Sequence, residues 1–138
     1  MDFVAIDTDV CSFLIKGDSR AELYRRHLIG KIPCLAFQTV GELLQWAELH
    51  RWGASRRSRF NTWLSHFRLL GGDIETCQAW ARVRAECARA GLPISPQDAW
   101  IAACALRHDM PLLTHNRCDY ANISQLRVVA AQDQTQLD

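Results

Sequence analysis

The chain has 138 residues, a formal net charge of +1, 49% apolar side chains and 22% charged ones. That length suits one domain burying about two-thirds of its unfolded surface, and the composition excludes a disordered or repetitive protein. The near-neutral balance excludes a polycation that coats nucleic acid indiscriminately, and no apolar run reaches membrane-spanning length. The N-terminus lacks a signal-peptide pattern, so the expectation is a single domain over residues 1–138 in the cytoplasm, its tail loosely ordered from about residue 131. Six cysteines are present (Cys11, Cys34, Cys77, Cys87, Cys104, Cys118) with no C-x-x-C pair. They read as free thiols, most of them on apolar faces.

In chain order, Val4-Ala5-Ile6 is a short apolar strand that ends on Asp7 as a helix begins. That helix spans Thr8 to Ile15, capped by Asp7 and closed by Gly17. A second helix runs from Arg20 to Leu28 and ends near Gly30, followed by a strand over Pro33 to Ala36. Thr39-Val40-Gly41-Glu42 matches the S/T-x-x-E capping box and predicts a helix from there to about Trp52. The next helix carries Phe60, Trp63, Leu64, Phe67 and Leu70 at helical spacing, and the two are expected to form a hairpin. Asp73-Ile74 is expected as a minimal strand. A helix from about Glu75 to Ala90 follows, its apolar face made of Cys77, Trp80, Ala81, Cys87 and Ala88. Ser95-Pro96-Gln97-Asp98 supplies an N-cap, a proline at the first helical position and an acid at the third, opening a buried helix to Leu106. Strands over Pro111 to Thr114 and Leu126 to Ala130 complete an alternation that predicts an α/β fold with a mostly parallel sheet of four to five short strands, helices on both faces.

Asp7, Glu42, Asp98 and Asp119 each fall at a helix start or just past a strand. In an open α/β sheet such places lie along the carboxyl edge, where ligands bind. Each acid alone has a structural role to hand: a cap, a capping-box partner, a favourable charge in a helix's first turn, or a turn residue. Gathered together they would repel one another and titrate high unless a cation filled the cluster, and a set of carboxylates suits Mg2+ or Mn2+. Helix N-termini around the same spot would favour an anionic phosphodiester beside that ion.

The strings VAIDTDV (residues 4–10), TVGELL (39–44), DAWIAA (98–103) and LLTHNRCDY (112–120) resemble, in this order, the four motifs of the PIN-domain ribonucleases. Within them the likeness is to the VapC toxins of bacterial VapBC toxin–antitoxin pairs, and it runs nearly the whole length. The resemblance implies an α/β/α sandwich, Mg2+- or Mn2+-dependent RNA cleavage, and neutralisation by a cognate VapB-like antitoxin; such toxins commonly pair as homodimers. It further implies that Asp7, Glu42, Asp98 and Asp119 form a catalytic, metal-binding quartet oriented by Thr8, Thr114 and Asn116. Two positions depart from the pattern. Asp9 stands where Asn or Ser is usual, making it either a fifth carboxylate near the metal or a helix cap, and Trp46 stands where a small residue is common.

Around that site, Arg51, Arg56, Arg57 and Arg59 at the hairpin tip are candidate RNA contacts, the alternative being a solvated face. His115 is either a substrate contact or an ordinary exposed loop histidine. Trp46 and Trp52 fall off the apolar stripe of their helix and are candidates for a partner surface, whereas Trp63, Trp80 and Trp100 fit core faces. Two rival functions remain in view. A PIN-like module could bind RNA or protein without catalysis. Asp7-Thr8-Asp9 also resembles the D-x-D opening of haloacid-dehalogenase-type phosphatases, although that chemistry needs a late lysine and this chain has only Lys16 and Lys31.

Overall fold

The computed structural model describes residues 2–130, so the expected loose tail from residue 131 lies outside the described residues. The elements run β1 (Phe3–Ile6), α1 (Thr8–Lys16), α2 (Glu22–Leu28), β2 (Ile32–Ala36), α3 (Phe37–Leu49), α4 (Ala54–Leu64), β3 (Arg68–Leu70), α5 (Ile74–Arg89), α6 (Pro96–Arg107), β4 (Leu112–Leu113) and β5 (Val128–Val129). Short 3-10 turns cover Ser19–Ala21 and Arg117–Tyr120. Among the described residues no helix is long and apolar enough to cross a membrane.

The five strands form one sheet in the order β3-β2-β1-β4-β5, and every pairing is parallel. Successive side chains on a strand point to opposite faces, and the sequence divides accordingly. Ala5, Cys34, Ala36 and Leu112 pack with Val83, Cys87, Ala99 and Ala102 from α5 and α6. Val4, Ile6, Leu35 and Leu113 pack with Val10, Cys11, Tyr24, Leu43, Ala47 and Phe60 from α1, α2, α3 and α4. The central strands therefore read as continuous apolar runs, as strands covered on both faces must. The chain winds outward from β1 to β3 on one side and from β4 to β5 on the other, so the strand order reverses between β1 and β4.

Three local expectations are corrected. First, α3 starts at Phe37, two residues before the expected capping box, because β2 runs directly into it through Ala36, which has no side-chain cap bond. Thr39 is consequently inside the helix and fully buried, and Glu42 sits in the second turn. Second, Leu70 belongs to a strand rather than to the preceding helix, and Asp73 is an N-cap rather than a strand residue. The apolar stripe of α4 happens to continue in phase across the turn into β3, and spacing alone does not register the break. Third, α5 buries Thr76, Ala79, Val83 and Cys87, not the face through Cys77, Trp80, Ala81 and Ala88. Cys77 and Cys118 are exposed, and the other four thiols are buried and free.

The start of α6 agrees in detail with its local signals. Ser95 Oγ accepts from the Asp98 amide at 3.1 Å, Pro96 opens the helix, and Asp98 lies in the first turn. Ala99 and Ile101 to Ala105 are buried, so the helix runs through the interior and holds Asp98 at its mouth.

Candidate active site

The site grows out of the reversal point between β1 and β4. Ile6 pairs with Leu113, and the Asp7 amide donates to the Leu113 carbonyl at 2.9 Å. The next side chains on the two strands, Asp7 and Thr114, therefore meet at the carboxyl edge, where this class of sheet leaves a crevice.

Asp7 is buried, at 6% exposure. Its Oδ1 accepts from the Thr8 amide at 2.8 Å, and its Oδ2 accepts from the Thr114 hydroxyl at 2.7 Å and the Tyr120 hydroxyl at 3.0 Å. Burial, then the charge of Asp9, push its carboxyl up to about 7 despite those three donors. The Asp98 carboxyl is also raised, by burial first, then by the charge of Asp119 and less by Glu42. Its Oδ1 lies 3.5 Å from the Tyr120 hydroxyl. Asp9 is raised by burial, with Asp119 a smaller contributor. The field of each acid thus reaches another: Asp9 acts on Asp7, Asp119 on both Asp9 and Asp98, and Glu42 on Asp98. The four expected acids and Asp9 share one electrostatic neighbourhood.

The supporting groups are arranged less simply than the motifs suggest. Thr8 orients Asp7 through its backbone amide, while its hydroxyl donates to Thr39 Oγ1 at 3.0 Å and ties α1 to α3. Asn116 orients Asp9 rather than the quartet, donating from Nδ2 to Asp9 Oδ2 at 2.8 Å; the His115 amide adds a bond at 3.2 Å. Asp9 Oδ1 accepts from the Val10 amide at 2.7 Å. Asp9 is therefore a tie between the start of α1 and the loop after β4. Glu42 is half-buried and accepts from Gln38 Nε2 at 3.0 Å, one helical turn earlier, so its partner is not Thr39 as a capping box would have it. Asp119 is exposed in the turn Arg117–Tyr120.

Among the described residues, no three histidine, cysteine, aspartate or glutamate side chains are gathered closely enough to hold an ion as they stand. The donor set nevertheless fits a hard divalent cation. It is all carboxylate, it is partly buried, and three of its members titrate high, chiefly through burial and in addition through the charges of neighbouring acids. Neither lysine is placed for a phosphatase: Lys31 pairs with Asp2 at the amino end of β1, opposite Asp7, and Lys16 lies over the Trp46 ring.

Local sequence signals give Tyr120 no role in the site. It closes the fourth motif, and an aromatic residue after an acid reads as core, which at 1% exposure it also is. Only its hydroxyl, brought to Asp7 across 113 positions, reveals the second role.

The outlying candidates divide. His115 is not an exposed loop residue: it is half-buried, with Nδ1 at 2.6 Å from the Tyr24 hydroxyl and its ring edge-on to Phe13 at 5.1 Å. Arg57 holds the turn between α3 and α4, donating to the Trp52 carbonyl and Glu48, each at 2.8 Å. Arg51, Arg56 and Arg59 are exposed, Arg56 lying 4.0 Å from the Trp52 ring centroid. Trp52 is buried rather than presented to a partner, wedged edge-on between Trp46 and Phe60, because α3 ends at Leu49 and the chain turns inward there. Trp46 is half-exposed.

Comparison with known proteins bears on this site. A family model described as PIN domain matches residues 4–123. The chain is 27% identical over 122 residues to the tRNA(fMet)-specific endonuclease VapC of Shigella flexneri, covering 88% of this chain and 92% of that one. Its fold superposes on VapBC2 of Rickettsia felis with a TM-score of 0.82 at 18% identity, covering 93% of this chain and 98% of that one. For the DNA-bound VapBC of Salmonella typhimurium the TM-score is 0.79 at 25% identity, with 95% and 99% covered.

Proposed function

The chain belongs to the PIN-domain family, and from that premise we propose that it is a divalent-metal-dependent endoribonuclease toxin, acting in the cytoplasm and neutralised by a VapB-like antitoxin. The observation that carries the catalytic reading is the convergence of Asp7, Asp98, Asp119 and Glu42 at the reversal point between β1 and β4, with Asp7 and Asp98 raised by burial and then by the charges of neighbouring acids. The likeness to an endonuclease named VapC supports RNA as the substrate. The likeness to VapBC complexes supports an antitoxin as the partner.

In this reading Asp7 and Asp98 would hold Mg2+ or Mn2+, with Asp119 and Glu42 assisting through water or at a second ion. When bound, the metal supplies hydroxide near neutral pH and offsets charge growing on the phosphoryl oxygens. Glu42, held by Gln38, takes the proton of the attacking water. The N-termini of α1 and α6 open beside Asp7 and Asp98, and their positive dipole ends favour the RNA phosphate. Arg51, Arg56 and Arg59 extend the grip on the strand.

The test uses recombinant protein freed of contaminating nuclease and a single-stranded RNA. Cleavage should need Mg2+ or Mn2+, stop with chelator, and leave a 5′-phosphate and a 3′-hydroxyl, because water rather than the ribose 2′-hydroxyl attacks. A 2′,3′-cyclic phosphate would overturn the mechanism. Metal and RNA binding without cleavage would favour the non-catalytic module.

The antitoxin is proposed to cover the face of α3 and α4. Trp46 is half-exposed there and packs on Trp52, which with Leu14 and Ile15 of α1 and Arg56, Arg59 and Phe60 of α4 lines a groove of about 260 Å³. Trp46→Glu should weaken antitoxin binding at least tenfold without changing basal cleavage, a loss expected when a large aromatic anchor is removed. Unchanged affinity in a binding titration would remove Trp46 from the interface. Pairing of two toxin copies is part of the same proposal, and light scattering measures it.

A further inference from the structure

We infer that Tyr120 and Thr114 together make Asp7 a one-oxygen ligand, leaving a single lone pair on Oδ1 for a cation, and that this restriction gives the site its preference for small divalent ions over calcium. The inference rests on the reading that the acidic site binds a divalent cation.

An ionised carboxylate offers about four lone-pair positions, two on each oxygen. At Asp7, Oδ2 accepts from Thr114 Oγ1 at 2.7 Å and from the Tyr120 hydroxyl at 3.0 Å, so both of its positions are taken. Oδ1 accepts once, from the Thr8 amide at 2.8 Å. One position remains on the whole group.

None of the three donors is free to leave. The Thr8 amide opens α1, so its place is set by the helix. Thr114 is fully buried, its amide bonds the Val129 carbonyl at 2.9 Å, and its hydroxyl oxygen accepts from the Asn116 amide at 3.1 Å. That last bond leaves the Thr114 proton directed at Asp7. Tyr120 is enclosed by the core against α6. Its hydroxyl has one proton and two carboxylates in reach. Asp7 Oδ2 at 3.0 Å takes it in preference to Asp98 Oδ1 at 3.5 Å, so the hydroxyl stands between the two candidate ligands while binding only one of them.

Mg2+ requires near-octahedral coordination at short distances and takes carboxylates through one oxygen. Ca2+ accepts more ligands, at longer distances, and readily takes both oxygens of one carboxylate. A carboxylate with one oxygen saturated by fixed donors serves the first ion and denies the second its bidentate mode. Tyr120 is on this account a positioning residue that acts through Asp7 and touches no reacting atom.

The experiment measures Mg2+ and Ca2+ affinities by calorimetry on the whole chain without RNA, for the wild-type protein, Tyr120→Phe and Thr114→Val. Both substitutions keep the shape of a buried side chain while removing one donor to Oδ2. The expected result is a rise of about tenfold in the affinity of Ca2+ relative to Mg2+ in either variant, the scale on which groups behind a ligand tune metal binding. Near-UV circular dichroism should stay native. An unchanged ratio in folded variants overturns the inference and leaves the metal reading standing. A wild-type protein that binds neither Mg2+ nor Mn2+ overturns the metal reading, and this inference with it.

Discussion

Asp98→Asn should lower the rate of RNA cleavage by roughly 10²–10³-fold or more, because it removes one of the charges that hold the metal and face the developing phosphoryl charge. Its effect on folding should be small. Asn keeps the size of the side chain, and the Ser95 cap bonds the backbone amide of residue 98 rather than its carboxyl. The helix loses a favourable first-turn acid, about 0.3–1 kcal/mol, and gains relief from the charges of Asp119 and Glu42. A melting temperature within a few degrees of wild type, alongside lost cleavage, is the expected pair of readings. Asp7→Asn is a less clean test: both donors to Oδ2 are hydroxyls, and one of them would have to turn away from a side-chain amide. Full activity in a nuclease-free Asp98→Asn preparation would contradict the assignment.

The metal-free protein should be more stable at pH 5 than at pH 8. Asp7 has a folded value of about 7 against an ordinary 3.8, so the folded state binds this proton more tightly than the unfolded chain does. Stability on this account is greatest below about pH 4 and declines as pH rises, the loss being complete once pH passes 7. For Asp7 alone the cost is on the order of 4 kcal/mol. Asp9 and Asp98 are shifted in the same direction and add to the decline. Below pH 4 the trend reverses, because Asp18 and Asp73 are held low by Arg20 and Arg107 and lose those pairings when protonated. Saturating Mg2+ should remove most of the loss between pH 5 and 8, since the ion binds the deprotonated carboxylates and only in the folded state. Thermal melts at the two pH values, with chelator and with Mg2+, measure this. A chelated protein as stable at pH 8 as at pH 5 would show that the acids do not share one unneutralised site.

Both expectations depend on carboxylates that local signals place at element ends and that only the assembled sheet brings together. Asp98 illustrates the first half: serine, proline and acid within one turn specify where α6 begins and which way its mouth faces. Glu42 shows where such reasoning fails. Its spacing from Thr39 matched a capping box, yet the burial of Thr39 and the direct run of β2 into α3 decided the helix start two residues earlier.

From the sequence alone came the alternation of strands and helices, the free thiols, the four acids and their places at the ends of elements. Each of these depends on residues within a few positions of one another, where caps, glycine and proline conformations and side-chain periodicity act. Only the tertiary structure decided that β4 lies beside β1, that α5 turns its Val83 face inward, that Trp52 is enclosed, and that Asp9 and Tyr120 are bonded across the site. Those outcomes come from burial and hydrogen bonding between segments up to 113 positions apart. No spacing along the chain records them, because they exist only once the apolar faces of the sheet have been covered.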